Sequence, residues 1–262
     1  MSTVASLWRY PVKSMMGEEL RSAKVTAKGI QGDRASALID IESGKIVSAK
    51  NPKKWPNMFS FRSRYEDITN SNEIRITLPN GNTVKSSDSN ANSILSGAFG
   101  KEVRLISQVP DNPQLEEYWP DIEELDNRDV VTDENMPKGT FYDLAVIHLL
   151  TTSTLNELRR LYPEGRFEAR RFRPNIIIDI DQEGFVESKW IGKTVVIGDE
   201  VKLKIVDHCP RCVMTTLSQG DLPRDTKILR TAAQHNDAHV GVYAEVLKDG
   251  TIQCDDRVSL ID

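Results

Sequence analysis

The sequence predicts a mixed, mainly β fold of the barrel type, with only a few helices. Short segments of alternating apolar and polar residues recur along the 262 residues, and tight turns separate several of them. Few stretches show the periodicity of a helix, in which apolar residues recur every three to four positions. Many short strands with few helices favour a mixed barrel over a parallel α/β sheet.

Composition and charge exclude several classes of function. The formal net charge is −5 and the pI is about 5.5, which argues against a nucleic-acid partner, because affinity for phosphate backbones depends on clustered Lys and Arg. No apolar run approaches the roughly 20 residues of a membrane-spanning helix, and the N-terminus lacks a signal-peptide core. We therefore expect a cytoplasmic protein that does not enter a membrane. Its three cysteines do not make a disulfide scaffold.

The N-terminal part is predicted to be mostly antiparallel sheet. Turns at Gly44 and at Asn80-Gly81 each join two apolar runs, as in β-hairpins. Gly100 is expected to stop a short helix. The predicted elements are a strand over 4–10, a hairpin of 37–41 with 45–48, a hairpin of 74–78 with 83–85, and a helix from 87 or 88 to about 99.

An acidic segment follows. Between Asp111 and Asp129 the chain carries eight acidic side chains and one basic one, and Pro113 and Pro120 are expected to break any regular element. The segment is therefore predicted to be an exposed connection, since a run of charge is usually a solvated face. The alternative is a docking surface for a basic redox partner.

The second half of the sequence is predicted to contain one clear amphipathic helix among its strands. Thr154 and Glu157 have the spacing of a capping box, and an apolar stripe continues to Tyr162. The N-terminus of this helix would offer backbone N–H groups to a phosphate, or the threonines merely cap the helix. The other predicted elements are strands over 175–180, 194–197, 201–206, 240–246 and 257–261, and a helix over 227–235.

The sequence Cys209-Pro210-Arg211-Cys212 is the strongest indication of metal or redox chemistry in this chain. Thiolates are soft metal ligands and redox groups, and an adjacent arginine favours the thiolate and binds oxyanions. A zinc site would need a second Cys/His pair, which the spacing of the histidines does not offer. The plain alternative is that small apolar residues fill the end of a buried strand. A thiolate beside an anion-binding arginine fits an anionic metal cofactor.

Two more arginines stand at the ends of predicted elements. Arg34 closes a glycine-spaced turn over 29–34, and Arg173 precedes Pro174, which is expected to hold it extended. The Arg173 guanidinium and the Asn175 amide together could bind an oxyanion and the edge of a heterocycle, as a large organic cofactor requires. Taken singly, each arginine could be an ordinary surface residue, but their recurrence at the ends of elements, together with the thiol motif, favours a binding role.

These motifs carry a family resemblance. The sequences Tyr10-Pro11-Val12-Lys13-Ser14 and Gly32-Asp33-Arg34 resemble the N-terminal β-barrel domain that precedes a MOSC domain. The sequences Arg173-Pro174-Asn175, Cys209 to Thr216 and Gly241-Val242-Tyr243 resemble the MOSC domain itself. The resemblance covers essentially the whole chain and is closest to the amidoxime-reducing family. It implies an N-terminal β-barrel-like domain at 1–110 and a MOSC β-barrel with peripheral helices at 111–262, with N-terminal strands able to complete a shared core.

The resemblance also implies an activity and a site. It implies an oxidoreductase that binds the molybdenum cofactor (molybdopterin) and reduces N-hydroxylated or related N–O and S–O compounds. Cys212 would be the metal ligand and the catalytic residue, whereas Cys209 would not be a ligand. The implied cofactor-binding residues are Lys13, Ser14, Arg34, Thr151, Thr152, Arg173, Asn175, Arg211 and Tyr243.

The implied partners are a small-molecule substrate and a separate electron-donor protein of the ferredoxin or flavoprotein type. No cysteine cluster for an iron-sulfur centre follows the last predicted strand, and no aminotransferase-like domain is present to bind pyridoxal phosphate. We therefore expect neither an iron-sulfur cluster in this chain nor bound pyridoxal phosphate. Two alternatives stay open. One is a sulfur carrier or cofactor-handling protein with a persulfide on Cys212, and the other is a non-catalytic module that binds another phosphorylated ligand.

Overall fold

A computed structural model describes residues 2–69 and 72–261. The strands are β1 Ser2–Arg9, β2 Glu18–Leu20, β3 Ser22–Thr26, β4 Gly29–Ile30, β5 Ala37–Asp40, β6 Arg62–Tyr65, β7 Ile74–Thr77, β8 Thr83–Lys85, β9 Val103–Ile106, β10 Gln114–Trp119, β11 Val130–Asn135, β12 Ile147–Thr151, β13 Ile176–Asp179, β14 Thr194–Ile197, β15 Val201–Pro210, β16 His239–Lys248, β17 Gly250–Gln253 and β18 Arg257–Ile261. The helices are α1 Ala91–Phe99, α2 Thr152–Leu161, α3 Ala169–Phe172 and α4 Lys227–Asn236. Short 3-10 turns lie at Met58–Ser60, Val186–Trp190 and Val213–Thr216.

Seven strands form a closed β-barrel. Their order is β13, β12, β16, β15, β14, β18 and β1, and β1 pairs back with β13 to close the ring. The β12–β13 pair is parallel and the other neighbours run antiparallel. Closure removes free strand edges, which otherwise invite pairing with other chains. The N-terminal strand is therefore part of the C-terminal barrel.

Alternation of side chains builds the barrel core. In β15 every second residue from Val201 to Ile205 is fully buried, and the residues between them face outward. Strands β1, β12, β13 and β16 contribute inward residues such as Leu7, Leu149 and Val242 to the same cluster. These apolar contacts fix which end of each strand meets the rest of the molecule, and so where the polar residues that follow β15 are placed.

The N-terminal region forms smaller sheets beside the barrel. Strands β6, β7 and β8 make one sheet, β5 pairs with β9, and β17 from the far end of the chain joins β3 and β4. A second apolar core holds this region together, with Phe61 stacked on Phe99 of α1 at 4.2 Å between ring centroids. Met214, from the turn that follows Cys212, packs into this core. The cysteine motif thus lies between the two β regions.

The fold class and most of the predicted elements are confirmed. The hairpin around Gly81 forms as β7 and β8, and α1 ends at Gly100, which adopts the left-handed conformation of a helix C-cap. Helix α2 forms, but Thr151 rather than Thr154 is its N-cap, because the Thr151 hydroxyl accepts the backbone N–H of Thr154. No helix in the described ranges is both long and apolar enough to cross a membrane.

One prediction about the N-terminal half was confirmed only in part, and another was wrong. The chain does turn back at Gly44, because the backbone N–H groups of Asp40 and Val47 donate to the carbonyls of Lys45 and Leu38. Residues 45–48 nevertheless do not make a full strand, since Ile46 forms single bridges, to Ile39 of β5 and to Leu115 of β10. The acidic segment is not a mere exposed connection, because β10 lies within it and pairs with β11 over six residues. Lys45, Lys50 and Lys54 from a distant part of the chain neutralise its carboxylates, which a local view of the sequence does not reveal.

Candidate functional site

A cavity of about 590 Å³ lies where the barrel, the N-terminal region and the β10–β11 hairpin meet. It is the size expected for a cofactor or substrate pocket. Eight of the site residues predicted from the sequence line it, although they come from distant parts of the chain. They are Lys13, Ser14, Arg34, Arg173, Asn175, Arg211, Cys212 and Tyr243.

The backbone around this cavity is strained. Among the described residues, seven that are not glycine have a positive φ, and five of these line the cavity. Such conformations cost of order 1–3 kcal/mol each and cluster at functional sites, where the surrounding structure holds them in place. The five are Ser14, Arg34, Arg173, Asp237 and Ala238.

The two cysteines of the motif have different environments. Cys209 is fully buried at the end of β15, and its Sγ lies 2.7 Å from Nη1 of Arg211. Cys212 is half-buried, lines the cavity and precedes the turn Val213–Thr216, whose residue Thr215 donates its backbone N–H and its hydroxyl to the Cys212 carbonyl. Both thiols are free. Only the Cys212 thiol therefore faces the cavity.

The protonation of Cys212 differs from the sequence-based expectation. Burial and the nearby Glu117 carboxylate raise the pKa of its thiol to about 11, and Lys50 and Arg211 offset only part of this. Arg211 had been expected to favour the thiolate, but its guanidinium donates to Cys209 instead. The described residues contain no cluster of three or more His, Cys, Asp or Glu that could hold a metal ion. A metal bound at Cys212 must therefore bring other ligands with it.

Arg173 is buried at the floor of the cavity. It is the C-cap of α3 with φ 55° and ψ 47°, so the expectation that Pro174 would hold it extended was wrong. Its guanidinium stacks over Tyr10 at 4.1 Å from the ring centroid, and Nη1 donates to the Met15 carbonyl at 2.8 Å. Burial lowers the pKa of Arg173 to about 10, although the side chain stays cationic at neutral pH. Its Nη2 has no hydrogen-bond partner in the described part of the chain.

Arg211 has a similar arrangement. Its Nη2 donates to the Phe172 carbonyl at 2.9 Å, whereas its Nε is buried with no partner among the residues described. Burial alone would lower its pKa, but Cys209 and Tyr243 hold the pKa above its usual value. Burial, with Cys209 close by, raises the pKa of Tyr243 well above its usual value, so the phenol is neutral. Buried polar atoms of native proteins are normally paired, so unpaired guanidinium N–H groups beside a cavity indicate a ligand that accepts from them.

Asp33 links the N-terminal turn to the barrel. It forms an ion pair with Arg34 and accepts from the backbone N–H of Tyr10 at 2.7 Å and from Nδ2 of Asn175 at 2.9 Å. The Asn175 amide also donates to the Trp8 carbonyl, and its Oδ1 accepts a backbone N–H. The hydrogen-bonding groups of Asn175 are thus engaged within the protein. Its direct role is to orient Asp33, and through it Arg34.

Lys13 and Ser14 also line the cavity, and both are buried. Lys13 is buried, donates to the Phe141 carbonyl at 2.9 Å and forms an ion pair with Asp143; burial lowers its pKa, and Asp143 opposes that shift. Ser14 accepts the backbone N–H of Ala49 at 3.1 Å. The side chain of Lys50 lies between Asp143, at 3.8 Å, and a further carboxylate, Glu117, at 2.9 Å.

Lys50, Glu117 and Asp143 line the cavity but were not predicted from the sequence. Lys50 follows a short apolar run and lies two residues before Pro52, which is only a weak signal for a site. Glu117 was counted as one of eight similar acidic residues. The alternation of residues along the segment was the signal that could have singled out Glu117, because every second residue of a strand faces the same side.

Thr151 and Thr152 are not brought into the cavity. Thr151 is fully buried, and its hydroxyl donates to Glu187 at 2.6 Å, as does the Thr154 hydroxyl at 2.7 Å. Thr152 donates to Asp179 at 2.9 Å. A carboxylate of the protein thus lies at the N-terminus of α2, where the helix dipole favours negative charge. The predicted phosphate site there is not supported, and among the threonines Thr151 has the capping role that was its alternative.

Comparison of the sequence with protein families finds two matching domains. The family model of the MOSC N-terminal beta barrel domain matches residues 1–100, and that of the MOSC domain matches residues 137–259. The chain belongs to the MOSC domain family and carries both domains. The predicted boundary at residue 110 falls between the two matches and stays a prediction.

Among curated proteins, the chain is similar to mitochondrial amidoxime-reducing component 1 of Homo sapiens, with 27% identity over 232 residues that cover 83% of this chain and 66% of the relative. Mitochondrial amidoxime reducing component 2 of Rattus norvegicus is 26% identical over 245 residues, covering 83% of this chain and 67% of that protein. The chain thus spans about two thirds of the length of these relatives. The YuaD protein of Bacillus subtilis has the same fold, with a TM-score of 0.51 at 11% identity over 99% of this chain and 96% of the other.

Proposed function

We propose that this protein is a molybdenum-cofactor oxidoreductase that reduces N-hydroxylated or related N–O and S–O compounds with electrons from a separate donor protein. The observation that carries the proposal is a single thiol facing a deep cavity that is lined by buried cations with unpaired donors. The similarity to proteins named amidoxime-reducing components supports the same class of substrate.

The residues of the cavity fit such a cofactor. Lys13, Arg34, Arg173 and Arg211 offer charge-assisted hydrogen bonds to a phosphate and to the polar edge of a pterin. Nη2 of Arg173 and Nε of Arg211 are donors that the described residues leave unpaired. Cys212 would supply one thiolate on losing its proton to metal binding, so the remaining metal ligands would come with the cofactor.

When bound, the cofactor would supply two-electron reduction of an N–O bond with release of water. The protein supplies the surroundings. The second apolar core packs against Cys212 and limits access of water to one side of the thiol. The buried guanidinium of Arg173, stacked on Tyr10, and the Lys13–Asp143 pair are held by the fold before the cofactor binds, so little reorganisation is needed.

The test is metal and pterin content after expression of the full chain in a host that makes the cofactor. Molybdenum by elemental analysis and pterin fluorescence of the denatured extract are expected at near one equivalent in the wild type. Cys212→Ser should lose the metal, whereas Cys209→Ser, the matched control in the same motif, should retain most of it. Folded wild-type protein without metal from such a host would contradict the proposal.

The same samples address the persulfide alternative. Sulfur released from Cys212 by cyanide, in protein that contains no pterin, would favour a sulfur carrier over a reductase. The electron donor of ferredoxin or flavoprotein type, the absence of an iron-sulfur cluster and of pyridoxal phosphate, and the cytoplasmic location stay predictions. Reconstitution of activity with purified donor proteins tests the prediction about the electron donor.

A further inference from the structure

The connection between β10 and β11 lies between two cavities. It covers residues 120–129, whereas the loops of β-hairpins usually have roughly two to five residues. Residues 124–126 line the cavity that contains Cys212, and residues 121–123 line a second cavity of about 490 Å³. Because there is empty volume on both sides, the connection can shift without clashing with a packed core.

Few contacts tie this connection to the rest of the protein. In the part of the chain that the structure describes, the backbone–backbone hydrogen bonds of residues 121–128 stay local. Ile122 donates to the Pro120 carbonyl at 2.9 Å, and Leu125 donates to the Ile122 carbonyl at 3.1 Å. Ile122, with an exposed fraction of 5%, is the buried apolar side chain of these residues. A segment with few buried apolar contacts opens at a low cost in free energy.

Glu124 joins the connection to α4. Its Oε1 accepts from Nε2 of Gln234 at 2.6 Å and from Nε of Arg230 at 3.2 Å. Helix α4 lines both cavities, with Ala233 in the one that contains Cys212 and Arg230 in the other. The neighbouring Glu123 is 4.0 Å from Arg230, and its side chain is 80% exposed. Glu124 is therefore the main polar contact between the connection and α4.

The two ends of the connection are suited to act as hinges. Pro120 follows β10 directly, and Asp129, just before β11, adopts the left-handed conformation with φ 49°. The Asp129 carboxylate accepts from Tyr118 and from Lys53, at 3.0 Å each, so this end stays fixed to the hairpin. Hinges are a few loop residues at the ends of elements. The paired strands can thus stay in place while the residues between the hinges move.

We propose that residues 121–128 form a lid on the cavity that contains Cys212, hinged at Pro120 and Asp129 and held closed against α4 by Glu124. When closed, the lid keeps large molecules away from the thiol. When Glu124 leaves α4, the passage between the hairpin and the helix widens. The lid controls access to the cavity and goes beyond the proposed function, because it does not depend on which ligand the cavity holds.

The test measures how fast the Cys212 thiol reacts with two maleimides of different size. The full chain is made in a host that lacks the cofactor, and it is treated with N-ethylmaleimide or with a maleimide that carries a polyethylene glycol chain. Mass spectrometry quantifies the labelled peptide. Glu124→Ala is expected to speed the reaction of the large reagent about fivefold, the effect of losing a partly exposed ion pair, and that of the small reagent less than about twofold.

Three controls separate the lid from other effects. Both reagents attack the same thiolate, so a change in its pKa would act equally on the two. Glu123→Ala removes a carboxylate from the same segment and should change either rate by less than about twofold. Cys254 is half-buried outside the cavity, so its labelling should stay unchanged. The lid is refuted if the two variants speed the large reagent equally, if both reagents gain equally, or if Cys254 gains as much as Cys212.

Hydrogen exchange provides a readout that does not depend on the thiol. The Leu125 amide should exchange about fivefold faster in Glu124→Ala than in the wild type, whereas the Tyr118 amide of β10, which donates to the Lys50 carbonyl at 2.8 Å, should be unchanged. Equal acceleration at both amides would show general loosening and contradict the lid. Exchange can be measured with or without a bound cofactor, so the proposed function can fail through absent molybdenum while the lid stands, and the reverse can also be distinguished.

Discussion

Arg171 anchors the turn that presents Cys212, and its replacement should destabilise the whole protein. The side chain is fully buried, and its guanidinium donates to four backbone carbonyls. The acceptors are Arg166 at 2.8 Å, Thr215 and Leu217 at 3.1 Å each, and Pro223 at 2.8 Å. Thr215 and Leu217 immediately follow the cysteine motif. One side chain therefore ties the turn after Cys212 to α3.

The expected cost can be worked from these contacts. A hydrogen bond contributes about 1 kcal/mol net, so the loss of four should cost ~4 kcal/mol in Arg171→Leu. That is a large fraction of the 5–15 kcal/mol that typically stabilises a domain. Arg171→Lys retains the charge but cannot reach four acceptors, so we expect a loss of about 2 kcal/mol. Urea unfolding followed by tryptophan fluorescence measures both values.

The neighbouring residue provides the control. Arg170 makes comparable contacts, to Glu168 at 2.7 Å and Asp221 at 2.6 Å, but at the surface. Arg170→Leu should therefore cost less than about 1 kcal/mol. If Arg171→Leu unfolds at the same urea concentration as Arg170→Leu, the role assigned to Arg171 is refuted. If Arg171→Leu is too unstable to purify, Arg171→Lys still makes the comparison.

Two other predictions concern the barrel wall beside the cavity. Gly241→Ala should destabilise by more than about 3 kcal/mol in thermal unfolding, because at φ 83° its Cβ would lie 2.3 Å from His148. Gly81→Ala, at φ 85° with open space around it, should cost only about 1 kcal/mol, and equal losses would contradict the steric argument. Burial and Arg211 lower the pKa of His148 to about 3. The neutral imidazole therefore contributes its full stability above the unfolded pKa of roughly 6.5, and this contribution is lost as the pH falls towards 3. The side chain in His148→Gln can still donate to Val240 but does not titrate. Between pH 6.5 and 4.5 the free energy of unfolding should therefore fall by about 2 to 3 kcal/mol less in this variant than in the wild type. Urea unfolding at each pH measures the two values, and an equal fall in both proteins would rule out this source of acid sensitivity.

Predictions from the sequence were most accurate where the signal was local. The Asn80-Gly81 hairpin and the stop of α1 at Gly100 depend on the φ that nearby residues can adopt, and both were confirmed. The strand before Cys209 follows from alternation, which any window of a few residues shows. The cysteine motif, with Arg211 within it, pointed to the candidate site because its residue types are chemically uncommon together.

The errors have a common physical origin. Local rules expect Arg173 to be extended before a proline, yet α3 ends there and stacking on Tyr10 holds the residue in a left-handed conformation. The acidic segment contains a strand because lysines more than sixty residues earlier in the chain neutralise it. The N-terminus of α2 is occupied by Glu187, and no local pattern predicts a partner 36 residues away from Thr151.

By itself, the sequence determined the mainly β class, most of the elements and the residue types of the cavity. Propensity, alternation and turn chemistry act over a few residues, so they can be recognised without a structure. Only the tertiary structure decided that Cys212 faces the cavity while Cys209 pairs with Arg211, that Asn175 orients Asp33, and that the acidic hairpin lines the cavity. These outcomes depend on which distant charges and carbonyls come within hydrogen-bonding distance, and closure of the barrel determines that distance.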